Sequence, residues 1–143
     1  MDQRISFLTL GVADLDRSKV FYEALGWTPS AHGAGQGVVF FQLNGVVLGL
    51  FPHAELAAET GLPNTPVTGF RGVTFSHNTR SEADVNLVLD QAVTIGGRLL
   101  KAPGRMSWGG YVAYFADPDG HAWEVCFNPH ARIDEAGAVW LPR

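Results

Sequence analysis

The chain has 143 residues, and 46% hydrophobic with 17% charged residues fit one globular domain with a single core. A net charge of −4 without a basic block argues against nucleic-acid or anionic-membrane binding, because both depend on clustered Lys and Arg. No apolar run reaches the ~20 residues that span a bilayer, so a cytoplasmic location is expected. Cys126 is the only cysteine, which excludes an intrachain disulfide and a cysteine-based zinc site.

The first half of the chain predicts a strand, a helix and further strands. Asp14 is the predicted N-cap of the helix, and Gly26 is its predicted stop. Asn44-Gly45 predicts a tight hairpin turn with positive φ at both central positions. The predicted strands are residues 5–12, 27–31, 38–43 and 46–51.

The second half repeats this order after a break. A linker is predicted over residues 53–69, because Pro63 and Pro66 prevent regular structure after one or two helical turns. Ser81 with Asp84 then predicts a helix start of the capping-box type. The predicted strands are residues 71–78, 98–102, 109–116 and 122–127.

This repetition predicts one α+β domain, residues 1–143, made of two βαβββ modules. The modules are placed at about residues 4–52 and 70–128, and residues 129–143 form a C-terminal tail.

The closing hairpin of the second module delivers one carboxylate into apolar surroundings. Pro118, Asp119 and Gly120 are typical turn residues between two apolar strands. Because side chains alternate along a strand, Glu124 is predicted to share a face with Ala122 and Cys126.

Two stretches resemble the vicinal oxygen chelate superfamily, which includes glyoxalase I, extradiol dioxygenases, fosfomycin-resistance proteins and bleomycin-binding proteins. Phe-Ala-Asp-Pro-Asp-Gly-His-Ala-Trp-Glu-Val, at residues 115–125, resembles its closing hairpin. Leu-Gly-Val-Ala-Asp-Leu-Asp-Arg-Ser-Lys-Val-Phe-Tyr, at residues 10–22, looks like its first strand and helix. The resemblance implies a curved mixed sheet around a ligand cavity, with the helices outside.

The resemblance also locates four positions that hold metal ligands in the metalloenzymes of this superfamily. Matching the first-strand phrases of the two modules pairs Phe7 with Gly72 at two of these positions, and matching Leu48-Gly49-Leu50 to Trp123-Glu124-Val125 pairs Gly49 with Glu124 at the other two. The two glycines are expected to leave open space where metal ligands would otherwise project. Only Glu124 has a side chain that binds metal ions, whereas catalytic metal sites usually have three protein ligands. We therefore expect no metal ion and no other cofactor. His121 does not repair this deficit, because a spacing of three residues reverses the face along a strand.

Glu124 has two interpretations. In an apolar cavity it would act as an acid or base, or it would accept a hydrogen bond from a ligand. Alternatively it is a structural carboxylate paired with an arginine or with the hydroxyls of Thr74 and Ser76, since a buried charge is costly without partners.

The Gly-rich segment from Lys101 to Tyr111 is predicted to be a cavity lid, with core packing at a bend as the alternative. Its aromatic residues suit a small, apolar or aromatic ligand that bears a cation or a hydrogen-bond donor. The predicted ligand-binding residues are Phe7, Phe51, Thr74, Trp108, Tyr111 and Glu124, with Glu124 also the acid/base candidate.

Three functions fit these features. The favoured one is a metal-free small-molecule-binding protein similar to the bleomycin-resistance branch. The second is a glyoxalase-like lyase, isomerase or dioxygenase with an atypical site, and the third is a dimeric interaction protein. A symmetric homodimer is also expected, because half-open cavities are often completed by a second copy.

Overall fold

A computed structural model describes residues 1–66 and 68–142, and the chain divides into two compact units, Met1–Gly69 and Phe70–Arg143. The predicted α+β class is confirmed, because in the described part of the chain open, curved sheets are combined with two helices in the first unit and one in the second. Val67 of the predicted linker and Arg143 of the predicted tail lie outside the described residues.

The first unit is a three-stranded sheet with two helices. Strand β1 (Phe7–Val12) pairs in parallel with β3 (Val47–Pro52), and β3 pairs antiparallel with β2 (Val39–Gln42). Helix α1 (Leu15–Ala24) joins β1 to β2, and α2 (His53–Thr60) follows β3 directly. The central strand of this sheet is therefore β3.

One face of the first sheet packs against α1. Tyr22 of α1 is fully buried, and its ring lies 5.8 Å from that of Phe41 and 5.2 Å from that of Trp27. The aliphatic residues that share this buried face are Leu10, Val12, Leu48 and Leu50. Because side chains alternate, the neighbouring residues of the same strands lie on the opposite face.

The second unit contains a four-stranded sheet in the order β4-β7-β6-β5. Its elements are β4 (Phe75–Thr79), α3 (Glu82–Thr94), β5 (Arg98–Arg105), β6 (Tyr111–Ala116) and β7 (Ala122–Phe127). β4 runs parallel to β7, whereas β7, β6 and β5 form antiparallel pairs. Like β3 in the first unit, β7 is an inner strand with a parallel neighbour on one side and an antiparallel neighbour on the other.

Helix α3 covers one face of this second sheet. The hydroxyl of Tyr111 on β6 donates to Asn86 Oδ1 of α3 over 3.1 Å, which identifies the helix-facing side. On the same side, Phe115 stacks on Trp123 with ring centroids 6.3 Å apart. The residues that α3 buries are Val85, Leu89 and Ala92.

Both predicted helix starts are confirmed. The Asp14 side chain accepts from the Arg17 amide over 2.9 Å, and the Ser81 hydroxyl accepts from the Asp84 amide over 3.1 Å. Each bond satisfies one of the amides that lack an intrahelical partner in the first turn.

Several local predictions are wrong. Gly45 has a φ of 80°, but Asn44 does not have a positive φ. Glycine adopts that region without steric cost, whereas the Cβ of Asn44 makes it unfavourable. The brief strand predicted at residues 27–31 is reduced to one isolated bridge between Pro29 and Phe41. β5 extends to Arg105, beyond the predicted end at residue 102, by means of two register shifts.

The tail contains a short hairpin, β8 (Arg132–Ile133) and β9 (Val139–Trp140). The Arg80 guanidinium donates to the carbonyl oxygens of Ile133 and Asp134 over 2.9 and 2.7 Å, which ties this hairpin to the end of β4. Among the described residues, no helix has the length and apolar character needed to cross a membrane.

Candidate functional site

A polar row crosses the face of the second sheet that is opposite α3. Glu124 on the inner strand β7 is the register partner of both Ser76 on β4 and Tyr114 on β6. Ser76 Oγ donates to Glu124 Oε1 over 2.7 Å, and the Tyr114 hydroxyl donates to Glu124 Oε2. Each carboxylate oxygen of Glu124 thus accepts one hydrogen bond from a hydroxyl group.

The turn between β6 and β7 sets this alignment. Asp117 is buried, and its Oδ1 accepts from the amides of Asp119 and His121 over 3.0 and 2.9 Å. The main-chain bond from Asp117 N to His121 O, 3.0 Å long, closes the turn. The first pair of the hairpin is therefore Ala116 opposite Ala122. Two residues further from the turn on each strand, Tyr114 lies opposite Glu124.

The environment of Glu124 keeps its neighbours protonated. The hydrogen bond to Glu124, followed by desolvation and the negative charge of Glu124, raises the pKa of Tyr114 from 10.0 to about 12. Burial and the same charge raise the pKa of the Cys126 thiol to about 11. At neutral pH Tyr114 is therefore a hydrogen-bond donor rather than a tyrosinate base.

Further polar groups continue the row on both sides. Asn78 Nδ2 donates to Ser76 Oγ over 3.4 Å. Lys101 on β5 is the register partner of Tyr114, but its ammonium group contacts Met106 Sδ at 3.7 Å. Glu124 and Tyr114 are half-buried, whereas Ser76 is exposed, so the row is accessible from the Ser76 side.

Two predicted ligand-binding residues lie near the ends of this sheet. Thr74 is exposed and directly precedes β4, two residues before Ser76. Trp108 lies in the turn between β5 and β6, where 43% of its surface is exposed. Its ring packs against Gly110, where any Cβ would overlap the indole, and its carbonyl oxygen lies 3.1 Å from His130 Nε2.

Tyr111 does not join the polar row. It was predicted to line the same site, but it lies on the α3 side of β6, where its hydroxyl binds Asn86. One residue of displacement along a strand reverses the face, so Val112 and Tyr114 point away from Tyr111.

Phe7 and Phe51 belong to the first unit. Phe7 is exposed on β1, and its ring packs edge-on against Phe40 with centroids 5.9 Å apart. Phe51 is half-buried on β3. Gly49, two residues before Phe51 on β3, was expected to leave open space. This expectation is wrong, because a Cβ at Gly49 would lie 3.3 Å from the Phe40 ring.

The predicted equivalence of Phe7 with Gly72 is also wrong. If Gly49 matches Glu124, the parallel ladders match their partners Thr9 and Ser76, and two residues earlier Phe7 matches Thr74. Gly72 has a φ of 81° and precedes the first residue of β4 by three positions. Gly72 therefore lies in a bend before β4 and does not occupy a strand position.

The corrected set of family metal positions is Phe7, Gly49, Thr74 and Glu124, and it does not fit a metal ion. Glu124 supplies the only carboxylate of this set, and its oxygens already accept hydrogen bonds from two hydroxyl groups. Over residues 1–66 and 68–142, no group of three or more His, Cys, Asp or Glu side chains is arranged to hold a metal. These donors provide no basis for a metal-dependent step.

A family model described as Glyoxalase/Bleomycin resistance protein/Dioxygenase superfamily matches residues 4–125. The chain belongs to this superfamily. A glyoxalase-related enzyme from Fulvimarina pelagi is 35% identical with a TM-score of 0.86, and the alignment covers 99% of each chain.

Two other solved structures are similar. A glyoxalase/bleomycin resistance protein/dioxygenase from Nocardioides is 26% identical, with a TM-score of 0.72 and coverage of 89% of this chain and 84% of that one. A glyoxalase/bleomycin resistance protein from Albidiferax ferrireducens is 25% identical, with a TM-score of 0.65 and coverage of 87% and 98%. The resemblance drawn from the two sequence stretches is thereby confirmed.

Sequence reasoning predicted Ser76 as one partner of Glu124 but missed Tyr114. The information was present in the hairpin, because counting back from the Pro118-Asp119-Gly120 turn pairs Tyr114 with Glu124. Hairpin register thus identifies a partner of Glu124 that face alternation alone does not.

Proposed function

We propose that this protein is a metal-free small-molecule-binding member of the superfamily and that Glu124 orients the ligand. The observation that carries the proposal is the row of Ser76, Glu124 and Tyr114, whose two half-buried members are reached from the side of the exposed Ser76. A few convergent polar groups on a largely apolar surface are typical of small-molecule sites.

Trp108 supports this location of the ligand. Its ring lies against Gly110, and the bond from Met106 N to Gly110 O, 2.8 Å long, extends the β5–β6 ladder to that residue. Gly110 continues the alternation of Val112 and Tyr114, so the indole belongs to the Glu124 side of the hairpin. An exposed indole there offers an aromatic or apolar ligand a broad contact surface.

A thermal-shift screen of metabolites and aromatic or glycopeptide antibiotics tests the proposal, because a ligand that binds only the folded state raises Tm. We expect Glu124→Gln and Trp108→Ala to reduce the shift given by a confirmed ligand. Glu82→Gln and Trp140→Ala are matched controls, since Glu82 binds Arg105 and Trp140 lies in the tail hairpin. Equal shifts in all four variants would contradict the proposed site.

The metal-free state has its own test. Elemental analysis of purified protein should find only substoichiometric zinc, iron, nickel and manganese, because the family metal positions contain one carboxylate. One tightly bound equivalent that disappears in Glu124→Ala would contradict this part of the proposal.

A second candidate function is catalysis. The Fulvimarina pelagi relative is described as a glyoxalase-related enzyme, and Glu124 is an acid or base candidate on this chain. Turnover of a glyoxalase-type substrate that is lost in Glu124→Gln but kept in Glu82→Gln would favour this candidate over simple binding.

A homodimer in the cytoplasm remains part of the proposal. Exposed apolar side chains such as Phe7, Phe70 and Trp140 support self-association, since large apolar groups favour burial. Sedimentation at micromolar concentration would test the dimer, and fractionation of the native cells would test the location.

A further inference from the structure

We infer that the row of Ser76, Glu124 and Tyr114 selects ligands that carry a protonated amine or amidine over equally large ligands that carry a carboxylate. This inference rests on the proposed function, because it names the ligand class of the same site. It assigns ligand selection to Ser76 and Tyr114 in addition to Glu124.

The hydrogen-bond inventory of the row supplies the first argument. A serine or tyrosine hydroxyl has one proton, and in both Ser76 and Tyr114 that proton is donated to Glu124. An ionised carboxylate has no proton to give. What these three side chains still offer a ligand is a set of oxygen lone pairs, so the matching ligand group must donate hydrogen bonds.

Charge supplies the second argument. The side-chain groups that contact the Glu124 carboxylate are the hydroxyls of Ser76 and Tyr114, and the ion pairs Arg4–Asp2, Lys19–Glu23 and Arg105–Glu82 do not involve it. Lys101, the register partner of Tyr114, directs its ammonium to Met106 Sδ. A half-buried carboxylate without a cationic partner attracts a ligand cation and repels a ligand anion.

The number of donors distinguishes ligand groups further. A primary ammonium has three N–H donors, which matches one oxygen from each member of the row, while an alcohol has one. Tyr114 retains its proton well above neutral pH, so this acceptor pattern does not change over the physiological range. The preference for an ammonium over an alcohol should therefore be about 10-fold or more.

Benzylamine, benzyl alcohol and benzoate are suitable probes, because they share one ring and differ in charge and donors. Amide chemical shifts of the full chain would be followed at neutral pH while each probe is added to tens of millimolar. We expect benzylamine to shift the amide signals of Ser76, Tyr114 and Glu124 at a Kd about 10-fold or more below that of benzyl alcohol. Benzoate should not shift them.

Variants separate the row from general attraction to an acidic protein. Glu124→Gln and Tyr114→Phe should each abolish most of the preference for benzylamine, and Ser76→Ala should reduce it. Tyr111→Phe, which loses a tyrosine hydroxyl on the α3 side, and Glu82→Gln should leave it unchanged. The backbone spectrum of each variant reports whether it is folded, and the wild-type preference needs no variant at all.

The outcomes distinguish this inference from the proposed function. Equal binding of all three probes at Glu124 would overturn the selectivity and leave the ligand site standing. Preferential binding of benzoate, or no shift with benzylamine, would overturn the inference. Failure of the proposed function would instead appear as confirmed ligands whose shifts map away from the row and ignore Glu124→Gln.

Discussion

The two units place different chemistry at the same position of similar sheets. In each, an inner strand pairs with a parallel strand on one side and an antiparallel strand on the other. The corresponding rows are Thr9, Gly49 and Phe40 in the first unit and Ser76, Glu124 and Tyr114 in the second. One row contains no charge, and the other contains a carboxylate with two hydroxyl partners.

The difference indicates that the residue on the inner strand and its antiparallel partner are matched in size and hydrogen bonding. In the first unit the Phe40 ring occupies the volume beside Gly49, at 3.3 Å from where a Cβ would be. In the second unit the Tyr114 ring lies in the corresponding place, and its hydroxyl satisfies the Glu124 carboxylate. A ring fits over glycine, and a phenol fits beside a carboxylate, so exchanging one member of a pair alone should be costly.

The largest effect is expected from Gly49→Glu, which puts the carboxylate of the second unit into the first. The new side chain must displace the Phe40 ring and Thr9 Oγ1, both 3.3 Å from its Cβ, and it finds no phenol to donate to it. Overpacking and a poorly satisfied carboxylate should together cost about 2–4 kcal/mol of unfolding free energy. Chemical denaturation monitored by circular dichroism would measure this loss.

Gly104→Glu is the matched control for Gly49→Glu. Gly104 also lies in a strand, but a Cβ there meets nothing within 4 Å. Its substitution should stay within about 0.5 kcal/mol of wild type. If both glycine substitutions cost the same, crowding by Phe40 is not the reason that position 49 lacks a side chain.

The next largest effect is the coupling between Tyr114 and Glu124. A double-mutant cycle with Tyr114→Phe and Glu124→Gln should give a coupling of about 1–2 kcal/mol, because the hydrogen bond has a charged acceptor. Phe40→Tyr, which adds the same hydroxyl to the first unit, should not stabilise it, since Gly49 offers no carboxylate. If the effects of the two single substitutions simply add in the double variant, the hydrogen bond between Tyr114 and Glu124 contributes nothing to stability.

Much of the fold could be predicted from local chemistry. The caps at Asp14 and Ser81 were predictable because their side chains satisfy amides three residues away. Face alternation placed Glu124 opposite the face of Trp123 and Val125, and hydroxyls of β4 were among its predicted partners. These are contacts of short range or of simple strand periodicity.

The remainder depends on register between distant strands. The match of Phe7 with Gly72 was wrong because phrase similarity does not show which residues of two parallel strands are partners, whereas the ladders match Phe7 with Thr74. That Phe40 fills the space at Gly49 depends on the direction of one side chain on a neighbouring strand. The sequence pattern contains neither piece of information.

A smaller effect, specific to the second row, is the late titration of Tyr114. Because its folded-state pKa of about 12 exceeds the ordinary value of 10.0, its proton stabilises the fold fully below pH 10, and this contribution is lost as the pH rises towards 12. The tyrosinate absorbance that distinguishes wild type from Tyr114→Phe should therefore appear near pH 12. In Glu124→Gln it should appear earlier, and an unchanged midpoint there would contradict Glu124 as the main cause.

The smallest effect is expected from removing the hydroxyl group of Ser76 on β4 or of Thr9 on β1, the parallel-strand members of the two rows. Ser76→Ala removes a donor from the charged Glu124 and should cost about 0.5–1.5 kcal/mol, towards the lower end because Ser76 is exposed. Thr9→Val removes the hydroxyl beside Gly49, where no carboxylate needs it, and should stay within about 0.5 kcal/mol. In a Glu124→Gln background the cost of Ser76→Ala should fall, because a neutral amide oxygen is the weaker acceptor. If Thr9→Val proves as costly as Ser76→Ala, the hydroxyl in both rows serves the strand, and the carboxylate is not what distinguishes the second unit.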